Sequence, residues 1–206
     1  MGTLRSVPVG KTLGKHRPRR WRGYHVAAAC GLIPIAALSS PEHTLNFLAH
    51  AYLACHDDAL RAGALLGDFV KGPLPAGLPT ALADGVRLHR AIDSFADRHP
   101  AFNASRARLG ARWRRVSGVM VDMFYDHFLA CHWVRLHDEP LKHFTAETYA
   151  LAQQFDTHLP ARFAALLPHM RADDWLASYA DAAKVAHALD RIALRHTRSE
   201  EHTFEL

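Results

Sequence analysis

Val119-Met120-Val121-Asp122-Met123-Phe124-Tyr125-Asp126-His127-Phe128-Leu129 is an apolar stretch that carries two acids four residues apart. Residues i and i+4 share one face of a helix, so Asp122 and Asp126 stack, with His127 about 100° further around the axis. Two stacked carboxylates on a buried helix repel each other unless a cation or a proton lies between them. The apolar neighbours predict burial. One segment thus argues both for a helical fold and for ion chemistry inside it.

Outward from this segment the pattern persists. Ala, Leu and Arg are plentiful from Leu45 to about Arg195, and period-2 alternation of β-branched residues is scarce. The spacing predicts helices over 46–56, 58–70, 80–98, 101–111, 116–137, 141–156, 160–169 and 173–195. Breakers separate several of them, among them Gly72-Pro73, Pro100, Pro140, Pro160 and Pro168. Asp173 is the expected N-cap of the last helix, with Trp175, Leu176, Tyr179, Ala183, Ala186 and Leu189 at core spacing. The expectation is an all-α, single-domain bundle of about 7–8 helices, on the order of one domain for this length.

The chain has 206 residues, 49% hydrophobic and 22% charged, which excludes a disordered, collagen-like or disulfide-scaffold protein. Cys30, Cys55 and Cys131 are too few and too scattered for a disulfide framework or a thiolate zinc site, which suits a reducing compartment. The net charge of +5 is misleading. Residues 1–44 hold seven basic side chains (Arg5, Lys11, Lys15, Arg17, Arg19, Arg20 and Arg22) against the single acid Glu42, so the body beyond them is nearly neutral. A nucleic-acid partner is therefore not expected, despite the pI near 9.4.

Residues 1–44 pair a basic stretch with an apolar run from Val26 to Leu38 that is too short to span a bilayer of roughly 30 Å. We expect them to lie outside the fold, as sequence upstream of a start near Leu45; the alternative is an export signal. Residues 198–206 read as an adapter-like tail without function, so the domain is expected over 45–197, shortened at its C-terminal end. The expected location is the cytoplasm, without stable membrane insertion, or outside it if 1–44 is a genuine signal.

Histidine is abundant, with 16 residues, and four constellations place imidazoles beside acids. His89 and Asp93 are i, i+4 on one helix, Asp122 and Asp126 on another. His50 follows Asn46 by one turn. Asp68 and Lys71 lie in Gly67-Asp68-Phe69-Val70-Lys71-Gly72, at the end of an apolar segment. Imidazole and carboxylate without thiolate suit Mn²⁺, Mg²⁺, Fe or Zn²⁺, and several acids favour the harder ions. Arg106, Arg108, Arg112, Arg114 and Arg115 surround Trp113 without an intervening acid, a pattern suited to an acidic partner or to phosphate groups.

The runs Asn46-Phe47-Leu48-Ala49-His50, Leu65 to Gly72, Gly85 to Asp93 and Val121 to Trp133, in that order, resemble the acyl carrier protein phosphodiesterase family. That family is grouped with the HD-domain metal-dependent phosphohydrolases. The resemblance covers roughly Leu45 to Arg195. It implies an HD-domain-like fold and hydrolysis of holo-acyl carrier protein to apo-acyl carrier protein and 4′-phosphopantetheine, in lipid biosynthesis. It also implies a divalent cofactor, Mn²⁺ first, with Mg²⁺ or Fe²⁺ as alternatives. One departure stands out: Asp126-His127 inverts the usual His-Asp order.

On this reading His89, Asp93, Asp122, Asp126 and His50 are the expected metal ligands. His127 is the expected proton donor to the departing serine oxygen. Asp68 joins the catalytic set, Lys71 and Arg90 hold the phosphate, and Arg106, Arg108, Arg112, Arg114 and Arg115 dock the carrier protein. Two other readings stay open: an HD-type phosphohydrolase acting on a nucleotide or other small phosphate ester, and a non-enzymatic helical metal-binding or interaction module.

Overall fold

Nine α-helices carry the described part of the chain: α1 (Phe47–Leu53), α2 (Asp58–Ala64), α3 (Thr80–Arg98), α4 (Pro100–Arg108), α5 (Ser117–Cys131), α6 (Leu141–Gln153), α7 (Ala161–Ala172), α8 (Trp175–Ser178) and α9 (Ala182–Glu201). The computed structural model describes residues 47–201, with side chains to residue 193. Among them there is no strand, and all fall in one compact unit. The basic stretch and the apolar run expected at 1–44, Leu45, Asn46 and the tail from 202 onward lie outside the described residues.

The main core is built where α1, α2, α3, α5 and α6 meet, from Phe47, Leu48, Leu65, Leu66, Leu82, Met123 and Phe144, each at most 1% exposed. Burial of such side chains is the dominant favourable contribution to folding. α1 supplies only seven residues, too short to be helical alone in water. It persists because α2 and α5 pack against it.

Two glycines set the closest helix crossing. A Cβ on Gly63 of α2 would stand 2.3 Å from the Leu82 carbonyl oxygen, and one on Gly85 of α3 2.5 Å from that of Leu60. Only hydrogen at both positions lets the backbones approach this far. Arg61 ties the far side of α2 to α6: its Nη2 donates to Glu147 Oε2 at 2.7 Å and its guanidinium lies 5.0 Å from the Phe144 ring centre.

Element types follow the sequence reading, and the boundaries differ for identifiable reasons. The helix expected over 58–70 ends at Ala64, and the chain turns through Leu65–Phe69, carrying Gly67 to α3. The helix expected over 116–137 stops at Cys131 and continues as the short 3₁₀ turn Trp133–Arg135. There the buried Trp133 donates its Nε1–H to the Glu139 carbonyl. Asp173 caps the C-terminus of α7. Asp174, left-handed at φ 43°, is the residue that caps α8, accepting from the Ala177 N–H.

The span expected over 173–195 breaks between Tyr179 and Ala182, which resets the helical face; Leu176 and Val185 are buried while Ala183 and Ala186 are exposed. Pro168 sits inside α7 rather than ending it, on its exposed side. α9 continues to Glu201, past the expected end.

Candidate metal centre

α3 presents His89 and Asp93 on one face, one turn apart, as the i, i+4 spacing requires, with His89 Nε2 3.2 Å from Asp93 Oδ2. α1 brings His50 to the other carboxylate oxygen: its Nε2 lies 3.2 Å from Asp93 Oδ1. The two imidazoles stack with centres 3.7 Å apart and an angle of 15° between their planes. One donor atom from each of His50, His89 and Asp93 lies within 4.8 Å of the others, and both histidines are buried. Asp68 Oδ1, from the turn after α2, stands 3.8 Å from His89 Nε2.

The ring of His89 is oriented by backbone. Its Nδ1 lies 2.8 Å from the Ala64 carbonyl oxygen at the end of α2, to which it donates. That bond commits Nδ1, leaving Nε2, the atom facing the carboxylates, as the one that can ligate once its proton is lost. A histidine anchored through one nitrogen to a carbonyl is the usual arrangement around a bound metal. Gly67 lies against the same ring; a Cβ there would be 2.1 Å from His89 Cγ. The Gly63–Gly85 crossing therefore serves the site, because it brings the end of α2 to His89.

His50 differs. The side chain is fully buried, its Nδ1 has no hydrogen-bond partner, and its Nε2 meets the Asp93 carboxylate at 3.2 Å. A buried ring nitrogen facing a carboxylate needs a proton or a cation between the two. A divalent cation shared with Asp93 and His89 answers that requirement, and the residues present fit such an ion.

The electrostatics agree. Burial lowers the His50 pKa, as does its stacked neighbour His89, so the ring is held neutral, as a ligand must be. Burial also pulls on His89, but the carboxylates of Asp68 and Asp93 outweigh it and raise its pKa to about 10. Asp93 is held well below the usual carboxylate range: burial opposes its ionisation, and the two histidines overcome it.

α5 supplies the remaining acids. Asp122 is buried, and desolvation followed by the charges of Asp126, Asp93, Asp68 and Asp97 drives its pKa well above the ordinary value. It lies within the electrostatic reach of the cluster but outside the close group of three. Asp126 faces α1 instead, where its Oδ2 accepts from the Leu48 N–H at 3.0 Å and its Oδ1 from the Ala49 N–H at 2.8 Å. Burial pushes its pKa up to about 8, with those two bonds pulling against the rise.

The other expected residues make their contacts elsewhere. His127 lies with its Nδ1 2.7 Å from the Tyr179 carbonyl oxygen, to which it donates, and with Cys131 Sγ at 3.8 Å. Arg90 donates from Nη2 to the Val70 carbonyl (2.7 Å) and from Nη1 to that of Gly72 (2.9 Å), gripping the backbone on both sides of Lys71, which is exposed. Arg108, Arg112, Arg114 and Arg115 are exposed, and the Arg112 guanidinium lies 4.9 Å from the Trp113 ring centre. Arg106 is half-buried, with Nε donating to Ser117 Oγ at 3.0 Å and Nη1 4.0 Å from Asp97 Oδ1. Asp97 follows Asp93 by one turn of α3, so Arg106 meets the same helix one turn beyond the cluster.

Sequence reasoning assigns no role to Gly67, Gly63, Gly85 or the Ala64 carbonyl. Gly67 beside Asp68 in an apolar run is a signal available for the first, whereas a carbonyl leaves none.

The fold and site define an all-helical protein with a buried histidine–carboxylate centre of the composition that holds divalent cations. The chain belongs to the acyl carrier protein phosphodiesterase family, whose model matches residues 45–205. It is 33% identical over 155 residues to the acyl carrier protein phosphodiesterase of Pectobacterium atrosepticum, covering 75% of this chain and 80% of that one. The proteins of the same name from Yersinia pestis and Photorhabdus laumondii are each 34% identical, across 75% of this chain and 80% and 78% of their own lengths. No solved structure matches the chain.

Proposed function

We propose that the protein hydrolyses the phosphodiester joining 4′-phosphopantetheine to a serine of holo-acyl carrier protein, at a divalent cation held by His50, His89 and Asp93. The observation that carries this reading is the convergence of these three side chains from α1 and α3, within a chain whose relatives bear the name of that activity. A divalent cation there supplies two things a phosphodiester anion needs, neutralisation of its oxygens and a water that ionises near neutral pH. Carboxylates at Asp68 and Asp122 around the donor set favour Mn²⁺ or Mg²⁺ over softer ions. The donor set also supports placing the fold with the HD-domain phosphohydrolases.

The side chains divide the remaining work. Asp68, beside His89, accepts the proton of the attacking water as its oxygen bonds to phosphorus. His127 supplies the proton that the serine oxygen takes up as its own bond to phosphorus breaks. Arg90 fixes the backbone of the loop that carries Lys71, whose ammonium is directed to the phosphate and counts most as charge builds in the transition state. Arg108, Arg112, Arg114 and Arg115 form the docking surface for the acidic carrier protein. Cys55 and Cys131 are free thiols, which supports a cytoplasmic site of action.

Intact-mass measurement of holo-acyl carrier protein after incubation with the protein and Mn²⁺ tests this. The expected result is conversion to the apo mass with release of 4′-phosphopantetheine, abolished by chelator. Unchanged holo mass, with turnover of a nucleotide or small phosphate ester instead, would replace the substrate and keep the metal centre.

A further inference from the structure

Asp126 shares a buried helix with Asp122, and composition alone casts both as metal ligands. The hydrogen bonds separate them. Both oxygens of Asp126 are engaged by consecutive backbone N–H groups, Leu48 and Ala49, the second and third residues of α1. These are the N–H groups that a helix cannot satisfy internally, and a carboxylate from outside the helix closes them here. The carboxylate is fully buried, as are Leu48 and His50.

The next residue along the chain makes this functional, because His50 comes directly after Ala49. His89 is oriented by its own bond to the Ala64 carbonyl, whereas His50 leaves Nδ1 without a partner and meets only the Asp93 carboxylate, through Nε2 at 3.2 Å. No backbone group anchors the His50 ring, so its direction depends on the backbone of α1 together with its contacts to Asp93 and His89. α1 has seven residues and cannot hold its own geometry. The group that pins its first turn to α5 is Asp126.

We infer that Asp126 is a positioning residue: by gripping the Leu48 and Ala49 N–H groups it fixes the first turn of α1 and so aims His50 at the metal centre, and it does not itself ligate the ion. The inference rests on the reading that His50 belongs to that centre.

The test is a double-substitution cycle on the full chain, read by Co²⁺ binding and by the visible absorption of bound Co²⁺. Asp126→Asn retains one oxygen acceptor and loses the other. It is expected to weaken Co²⁺ binding about 10- to 100-fold, as loss of an orienting partner typically does, while the spectrum at saturation keeps the wild-type band positions. In a His50→Ala background the same substitution is expected to leave affinity unchanged, because its effect acts through His50. Asp93→Asn, which removes a ligand, serves as the control that shifts the spectrum.

Wild-type affinity in Asp126→Asn overturns the inference. So does a shifted spectrum, or a full additional loss in the His50→Ala background, since either marks Asp126 as a ligand in its own right. None of these readouts involves carrier protein, so failure of the substrate assignment would leave them intact.

Discussion

Of the described glycines, Gly67 leaves the least room for a Cβ, because the His89 ring lies against it. A methyl group on Gly67 would need the space the imidazole occupies, 2.1 Å from Cγ. Gly67→Ala is therefore expected to turn His89 out of register at a stability cost of about 1–3 kcal/mol. Metal affinity and turnover should fall much further than thermal stability does; calorimetric metal titration beside a melting curve separates the two. His89 also sets a pH dependence. Its pKa, raised to about 10 in the fold against an ordinary value near 6.5, makes it an imidazolium at neutral pH without metal. That contribution to stability is complete below pH about 6.5 and disappears as pH rises through about 10. Metal must displace the proton, so Mn²⁺ affinity should increase with pH between 7 and 9, with proton release on binding, measurable in a weakly buffered solution.

Among the elements, α2 and α3 matter most, because their crossing delivers Ala64 and Gly67 to His89. Gly85→Ala places a Cβ 2.5 Å from the Leu60 carbonyl, a backbone atom that cannot swing aside. The expected result is separation of the two helices, a lower melting temperature and weaker Mn²⁺ binding together; an unchanged metal affinity in a destabilised variant would show that the crossing does not serve the site. Arg90→Ala should loosen residues 70–72 and raise their protease sensitivity, with little loss of helix by circular dichroism. Much of this arrangement is legible in the sequence. The i, i+4 spacing of His89 and Asp93 places them together because helical periodicity is local. Asp122 and Asp126 share that spacing and look alike, but which of them faces the cluster and which faces α1 depends on packing between distant segments. Helix ends depart from the sequence pattern where tertiary demands intervene, at the turn after Ala64 and at the left-handed Asp174, since neither leaves a propensity signal.

At the scale of the whole molecule, Arg106 meets Asp97, one turn of α3 beyond Asp93, and it opens the run of arginines whose other four members are exposed. Reversing Arg114→Glu and Arg115→Glu together should raise KM for holo-acyl carrier protein, most strongly at low ionic strength. Hydrolysis of a small generic diester should be spared, and steady-state kinetics across a salt series measures both. An equal loss on the two substrates would remove the docking role. Among the described residues no helix is long and apolar enough to cross a membrane.

The expectations for metal binding and turnover depend on His50, His89 and Asp93 holding one divalent cation. Electron paramagnetic resonance of Mn²⁺ titrated into the protein measures this most directly. The wild-type chain should bind a single Mn²⁺ tightly, seen as loss of the free-ion signal, and Asp93→Asn should leave that signal at its protein-free intensity. Tight binding that survives Asp93→Asn would contradict the account.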